Sequence, residues 1–276
     1  MKANRFLHGV LLSIVLLISL FWLMPLALIV MNSFKPYSAI FANFFALPQK
    51  ISFEPYIKTW VNLKLAPLVF NTVVYAVSTA LVVGLLAPMA AYKLGRVRNK
   101  VSGFITLLFV VPIMVPFTTY MISLSKVLGV TAISNTRHGY IIAMVGLNMP
   151  LAVYIVKGFV QTVPLEMEEC ATIDGAGQFR TFFSIVFPLL LPAISTVFVI
   201  TALVTWGDII VNQVVAGGRE RSINIQTKLF MQFSKNRSDW EHAFPGIVIS
   251  FIPSIVFFLF MQKYIVAGVT MGAVKG

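Results

Sequence analysis

The stretch VPLEMEECATIDGAGQFRTFFSIVFPLLLP, residues 163–192, interrupts an otherwise apolar chain and decides how the rest is read. Four of the nine acidic residues of the protein, Glu166, Glu168, Glu169 and Asp174, fall within nine positions of it. Pro164 suits a first helical position, and acids in the opening turn complement the positive end of a helix dipole. The sequence therefore predicts a short helix beginning at Pro164. Ala171 and Gly175, four apart, are expected on one side of it, where small side chains permit close approach to another surface. Asp174-Gly175-Ala176-Gly177 then ends or bends the helix, so two short helices joined by a glycine bend are expected. Membrane anchoring does not need an acidic, glycine-punctuated element between hydrophobic runs; docking of a partner does.

Outward from this segment the composition is that of a lipid-solvated chain. Hydrophobic residues make up 58% and charged residues 11% of the 276 positions, and mean hydropathy is +0.90. Soluble domains carry roughly a quarter charged residues. A membrane-crossing helix needs about 20 mostly apolar residues. Six runs qualify, at about 9–31, 66–92, 102–124, 140–159, 184–215 and 244–264. The expected fold is an all-α integral membrane protein of six transmembrane helices, with the acidic loop, about 161–183, between the fourth and fifth. The first run is too long for a signal-peptide core and is read as a retained helix. The last of the three loops on the opposite side, about 32–64, 126–139 and 216–243, contains Ile225, Leu229 and Gln232 at helical spacing and should hold a short surface helix.

Orientation rests on one turn. With both termini on the same side, ten Lys and Arg residues fall there and eleven opposite, which decides nothing. KLGRVRNK, residues 93–100, however, packs four positive charges beside two span ends, where the positive-inside rule has most weight. Both termini and the acidic loop are therefore expected in the cytoplasm. The net charge of +12 is dispersed over loops, which fits contact with lipid headgroups and gives no nucleic-acid-binding face.

The chemistry-bearing residues exclude more than they suggest. One cysteine, Cys170, rules out an internal disulfide framework or a cysteine-rich metal site. No GxxxxGK[ST] occurs, His8, His138 and His242 are dispersed, and no HExxH is present, so neither ATP hydrolysis, a metal site nor a catalytic residue is expected. Asp208 is the one acid inside an apolar run, near Asn212 and Gln213, and is read either as pairing with a neighbouring helix or as lining a translocation path. Asn148, mid-span, is expected to make an interhelix hydrogen bond, with a pore contact as the other reading. Glu166 and Glu168 are expected on a solvated face. Pro25, Pro88, Pro112, Pro116, Pro150, Pro192 and Pro253 are expected to kink helices.

Glu169-Cys170-Ala171, Ile173-Asp174-Gly175-Ala176, and then Ile185 and Pro188 resemble the "EAA" loop of permease subunits of ATP-binding-cassette importers. Asn32-Ser33-Phe34-Lys35-Pro36, the run from Asn71-Thr72 to Ala91-Tyr92 closing with Arg96, Trp206-Gly207-Asp208 and the terminal stretch 268–276 resemble one branch of that family, the maltose-type carbohydrate permeases. Cys170 stands where the family has its first alanine, and Phe187 precedes Pro188 where leucine is commoner. The resemblance implies that residues 1–276 form a single transmembrane permease domain of a bacterial or archaeal plasma (inner) membrane. It also implies that Glu169, Cys170, Ala171, Asp174, Gly175, Ala176 and Pro188 serve ATPase coupling, with Trp206, Asp208, Asn212 and Asn148 at the pore or outer gate. The implied partners are a second related permease, two cytosolic ATPase subunits that bind ATP and Mg, an extracytoplasmic sugar-binding protein, and a carbohydrate substrate. A secondary transporter or channel with the acidic loop as a regulatory dock is the other reading. It would be expected to carry carboxylates near the membrane midplane, and this chain has none there.

Overall fold

The computed structural model describes residues 2–217, 221–234 and 240–273, with side chains described for 8–217, 221–233 and 240–263. Helices supply all the regular structure among these residues. Four are long and apolar enough to cross a membrane: α1 (Lys2–Asn32), α4 (Leu65–Arg96), α7 (Arg137–Val160) and α14 (Trp240–Ala273). Between them lie the short α2 (Tyr37–Ala42) and α3 (Glu54–Asn62). Two further pairs pass the same test but are bent: α5 (Lys100–Met114) with α6 (Phe117–Val130), at 110°, and Gln178–Leu189 with α11 (Leu191–Gly207), at 75°. The count is six if each bent pair is one span.

Every apolar run thus becomes helix, but the third and fifth are broken. Val115 is extended, φ −91° and ψ 121°, as a residue preceding proline prefers, and Pro116 starts the second limb. In the fifth run Leu190 leaves α-helical ψ, and Pro192 sits in the first turn of α11, where a missing N–H would be unpaired anyway. Pro25, Pro88, Pro112 and Pro150 instead lie inside continuous helices.

The chain divides into two compact units, Met1–Ala66 with Met231–Ile252, and Pro67–Phe230 with Pro253–Gly276. In the first, α1 leaves its apolar side chains exposed, Phe21 and Trp22 among them. The stretch after it is folded tightly. Asn32 donates to the carbonyls of Leu28 and Phe44, Ser33 and Tyr56 share a hydroxyl hydrogen bond of 2.6 Å, and the buried Lys35 ammonium donates to the carbonyls of Asn43 and Phe44. Lys58 pairs with Glu54 and Glu241.

The second unit carries the core. Val83, Ala87 and Ala91 of α4 pack with Ala152, Val153, Val156 and Val160 of α7 and with Ala193, Ile194 and Val197 of α11. Small and β-branched residues at these positions let the helices approach closely. A Cβ on Gly95 would come within 2.9 Å of Val160 Cγ1, so glycine is needed there for the C-terminal end of α4 to lie against α7. A second cluster joins Tyr75, Leu128, Tyr140, Met144, Val211 and Val215.

The short helix expected within residues 216–243 exists as α13 (Ile225–Ser234), with Ile225 and Leu229 buried and Phe230 exposed. Residues 218–220 and 235–239 of that loop, and 274–276 of the terminal stretch, lie outside the described residues.

Candidate functional site

The acidic segment folds into α8 (Glu166–Ile173) and α9 (Gln178–Thr181) around a tight turn. Helix α8 begins two residues later than expected: Pro164 precedes it, and the Leu165 carbonyl accepts from the amides of Glu168 and Glu169. Its end is a Schellman motif. The Ala176 amide donates to Ala171 O at 2.9 Å and the Gly175 amide to Thr172 O at 3.0 Å, with Gly175 at φ +79°. Gly175 is therefore not on the helix face with Ala171. It is the left-handed residue of the turn, and nothing lies within 4 Å of the position its Cβ would take.

Only Glu168 and Ala171 of α8 are buried. Glu169, Cys170, Asp174 and Gly175 are exposed and Ala176 is half-buried. Large apolar side chains are exposed in the same segment, namely Leu165, Met167, Ile173 at 84% and Phe179 at 74%. Leu165, Glu168, Glu169, Thr172 and Ile173 line one shallow recess along the helix. Pro188 lies beyond the turn in α10 (Phe187–Leu189), exposed, directly after a π-helical stretch, Phe182–Val186. Pro188 has no N–H to give to the carbonyl four residues back, and the widened helical register immediately before it accommodates that loss.

The burial of Glu168 corrects the expectation of a solvated face. Its Oε1 accepts from Arg96 Nη2 at 2.6 Å and Nε at 2.8 Å, and its Oε2 accepts from the Tyr92 hydroxyl at 2.7 Å. Arg96 Nη2 also donates to Val163 O at 2.8 Å. Arg96 and Tyr92 stand on the last turns of α4, so one carboxylate joins the C-terminal end of α4 to α8. Sequence reasoning missed this pairing. The available signal was the spacing: Glu168 and Ala171 are three apart on a helix and share a face, so an acid beside a buried alanine requires partners.

The opposite set of predicted residues is only partly brought together. Asp208, just past the end of α11, accepts from the Tyr140 hydroxyl at 2.9 Å and from the amides of Val211 and Asn212, capping α12 (Ile210–Ala216). Asn212 is fully buried. Its side chain donates to Ser222 O and accepts from the Asn224 amide, while Asn224 donates to Asp208 O. Asn71 donates to the carbonyls of Arg221 and Ile223, Tyr75 to Ser222 O, and the Ile225 amide to Thr72. Asp208 and Asn212 are thus members of a buried network that fixes residues 221–227. Asn71, Thr72, Tyr75, Tyr140 and Asn224 were not singled out as its members by sequence. Trp206 is buried two residues before Asp208, in the last turn of α11. Asn148 stands apart: it donates to Met144 O of its own helix, not across helices as expected, and faces a narrow cleft with Val197, Ile200 and Thr201.

Residues 80–271 match the family described as "Binding-protein-dependent transport system inner membrane component". The chain is 30% identical over 260 residues to the probable starch degradation products transport system permease protein AmyC of Thermoanaerobacterium thermosulfurigenes, covering 94% of each chain. It is 30% identical over 231 residues to the melibiose/raffinose/stachyose import permease protein MelC of Bacillus subtilis, covering 83% of each. With the multiple sugar-binding transport system permease protein MsmG of Streptococcus mutans the identity is 29%, over 99% of this chain and 98% of MsmG. The fold is similar, with a TM-score of 0.80 at 20% identity, to the crystal structure of a bacterial ABC transporter involved in the import of the acidic polysaccharide alginate, over 96% of this chain and 98% of that one. The chain belongs to the family of binding-protein-dependent transport system inner membrane components and is a permease subunit of an importer.

Proposed function

We propose that this permease imports a carbohydrate and that its acidic segment is the surface on which a cytosolic ATPase docks. The observation that carries the docking is the exposed face of α8 and its turn. Glu169, Cys170, Asp174 and Gly175 are exposed beside exposed Leu165 and Ile173, between the end of α7 at Val160 and the start of the bent pair at Gln178. Such an apolar patch with an acidic rim is an interaction surface. Pro188 closes the segment where it turns back toward α11. The carbohydrate assignment is supported by relatives that are named for starch degradation products, for melibiose, raffinose and stachyose, and for multiple sugars.

In this reading residues 1–276 act as one permease domain of a bacterial or archaeal inner membrane, with both termini and α8 on the cytoplasmic side. A second related permease completes the pore, an extracytoplasmic binding protein delivers the sugar, and two ATPase subunits bind ATP and Mg. ATPase closure carries α8 with it and shifts the permease pair between inward- and outward-open states. Trp206, Asp208 and Asn212 contribute to the outer gate through the network around residues 221–227, and Asn148 to the path.

The test is co-expression of the permease with a second permease, an ATPase and a binding protein from the same organism, followed by purification and assay of ATP-dependent uptake of labelled di- and oligosaccharides into proteoliposomes. ATP-dependent sugar accumulation with stoichiometric ATPase is expected. Uptake that proceeds without ATP and without a co-purifying ATPase would refute the proposal in favour of a secondary transporter or channel.

A further inference from the structure

Helix α8 has little of its own to hold it in place. Of its eight residues only Glu168 and Ala171 are buried, and residues 161–165 connect it to α7 through turns. At its other end the Schellman turn joins it to α9, and it packs against α9 and the π-helical stretch, but neither contact ties it to α4. That attachment is the Arg96 guanidinium, which reaches three segments at once: its own helix α4 by covalent linkage, the α7–α8 connection at Val163 O, and α8 at the Glu168 carboxylate. Tyr92, one turn back along α4, takes the remaining carboxylate oxygen. Both oxygens of Glu168 are therefore held from α4. The arrangement is well enclosed, with the Arg96 and Glu168 side chains 18% and 11% exposed, so water competes weakly for it. Gly95 strengthens the geometry by letting this end of α4 lie against Val160, the last residue of α7.

We infer that Tyr92, Arg96 and Glu168 form a transmission latch that makes α8 a rigid extension of α4, so that motion imposed on α8 moves the transmembrane helix. These are positioning residues. Glu169, Asp174 and the exposed apolar side chains would receive the partner; the Glu168 carboxylate, bonded to Tyr92 and Arg96, passes the displacement on. The inference rests on the reading of α8 as the ATPase-docking element, and it adds what happens after docking.

The experiment uses the whole importer in proteoliposomes and reads two quantities separately: ATPase subunits retained per permease pair, which reports docking, and sugar transported per ATP hydrolysed, which reports transmission. Glu168→Ala should retain the ATPase and its turnover while sugar per ATP falls about tenfold, a loss within the usual range of coupling effects between sites. Tyr92→Phe, which removes one of the donors, should give a smaller loss in the same direction. In a Cys170→Ser background, Arg96→Cys with Glu168→Cys should be poorly coupled. Bridging the two thiols with a short bis-thiosulfonate should restore sugar per ATP, and reduction should abolish it again. A residue needed only for folding would not respond to the bridge. Unchanged sugar per ATP in Glu168→Ala, or loss of ATPase retention in all three variants, overturns the latch; absence of ATPase from the unaltered importer would instead refute the docking reading beneath it.

Discussion

Replacing Gly175 separates two reasons for a glycine in the docking segment. The first is volume, if a partner must approach this point closely. The second is conformation, because Gly175 sits at φ +79° and its amide closes the Schellman turn onto Thr172 O. An added Cβ meets nothing within 4 Å in the permease itself, so the intrinsic cost is backbone strain alone, roughly 1–2 kcal/mol for an L-residue forced into the left-handed region. Such a cost changes the ratio of bent to competing conformations by a factor of about 5–30. Docking that requires the bend weakens by up to the same factor, because only the competent fraction binds. Asparagine tolerates left-handed backbone better than alanine does, whereas valine, branched at Cβ, tolerates it worst. Conformation therefore predicts ATPase affinity in the order Asn, Ala, Val, and volume predicts Ala, Asn, Val. Titrating purified ATPase onto the three permease variants in nanodiscs, with bound ATPase measured at each concentration, gives the order directly. Tighter binding by Gly175→Ala than by Gly175→Asn would refute the conformational argument and return the position to the interface.

Asp208→Ala removes an acceptor from the Tyr140 hydroxyl and the amides of Val211 and Asn212, and should cost about 2–3 kcal/mol from the lost cap and the stranded hydroxyl; Asp208→Asn, which keeps one oxygen, should cost less. Thermal unfolding of the detergent-solubilised protein checks both, and an unshifted melting temperature with lost uptake would move Asp208 from the network to the sugar path. Gly95→Ala should destabilise by roughly 1–3 kcal/mol through overpacking against the fully buried Val160, read by the same melt. Cys170→Ser, at an exposed position, should change stability by less than about 0.5 kcal/mol in the same melt. In that background, cysteines at Asn99 and Gln178 should react with an impermeant maleimide only in inside-out vesicles and one at Asn62 only in right-side-out vesicles; labelling of Gln178 and Asn62 from the same side would refute the topology.

What the sequence disclosed and what it withheld divide by range. The apolar runs, the glycine bend at Gly175 and the helix at Ile225 follow from neighbours a few residues apart, and each has its counterpart in the structure. Prolines are ambiguous on the same local evidence: Pro116 breaks a helix while Pro88 and Pro150 are carried inside one, since the outcome depends on which neighbours satisfy the freed carbonyl. The pairing of Glu168 with Arg96 spans 72 residues, and that of Asn71 with Ile223 spans 152. No periodicity encodes such distances. The usual exposure of acids put Glu168 on a solvated face while the family resemblance singled out Glu169, yet burial of the Ala171 face gives Glu168 partners of its own.

The network around residues 221–227 grips its segment mostly by atoms that every residue carries. Asn71, Tyr75 and Asn212 hold carbonyl oxygens of residues 221–223, and Asn212 and Thr72 accept from the amides of residues 224 and 225. The exposed side chain of Arg221 takes no part in those bonds. Exchange at Arg221 should leave the loop in its present path, whereas exchange at Asn71 or Asn212, at the far ends of the same bonds, should not. A scaffold of this kind lets the chemistry displayed at one position of the loop drift without a redesign of the protein around it.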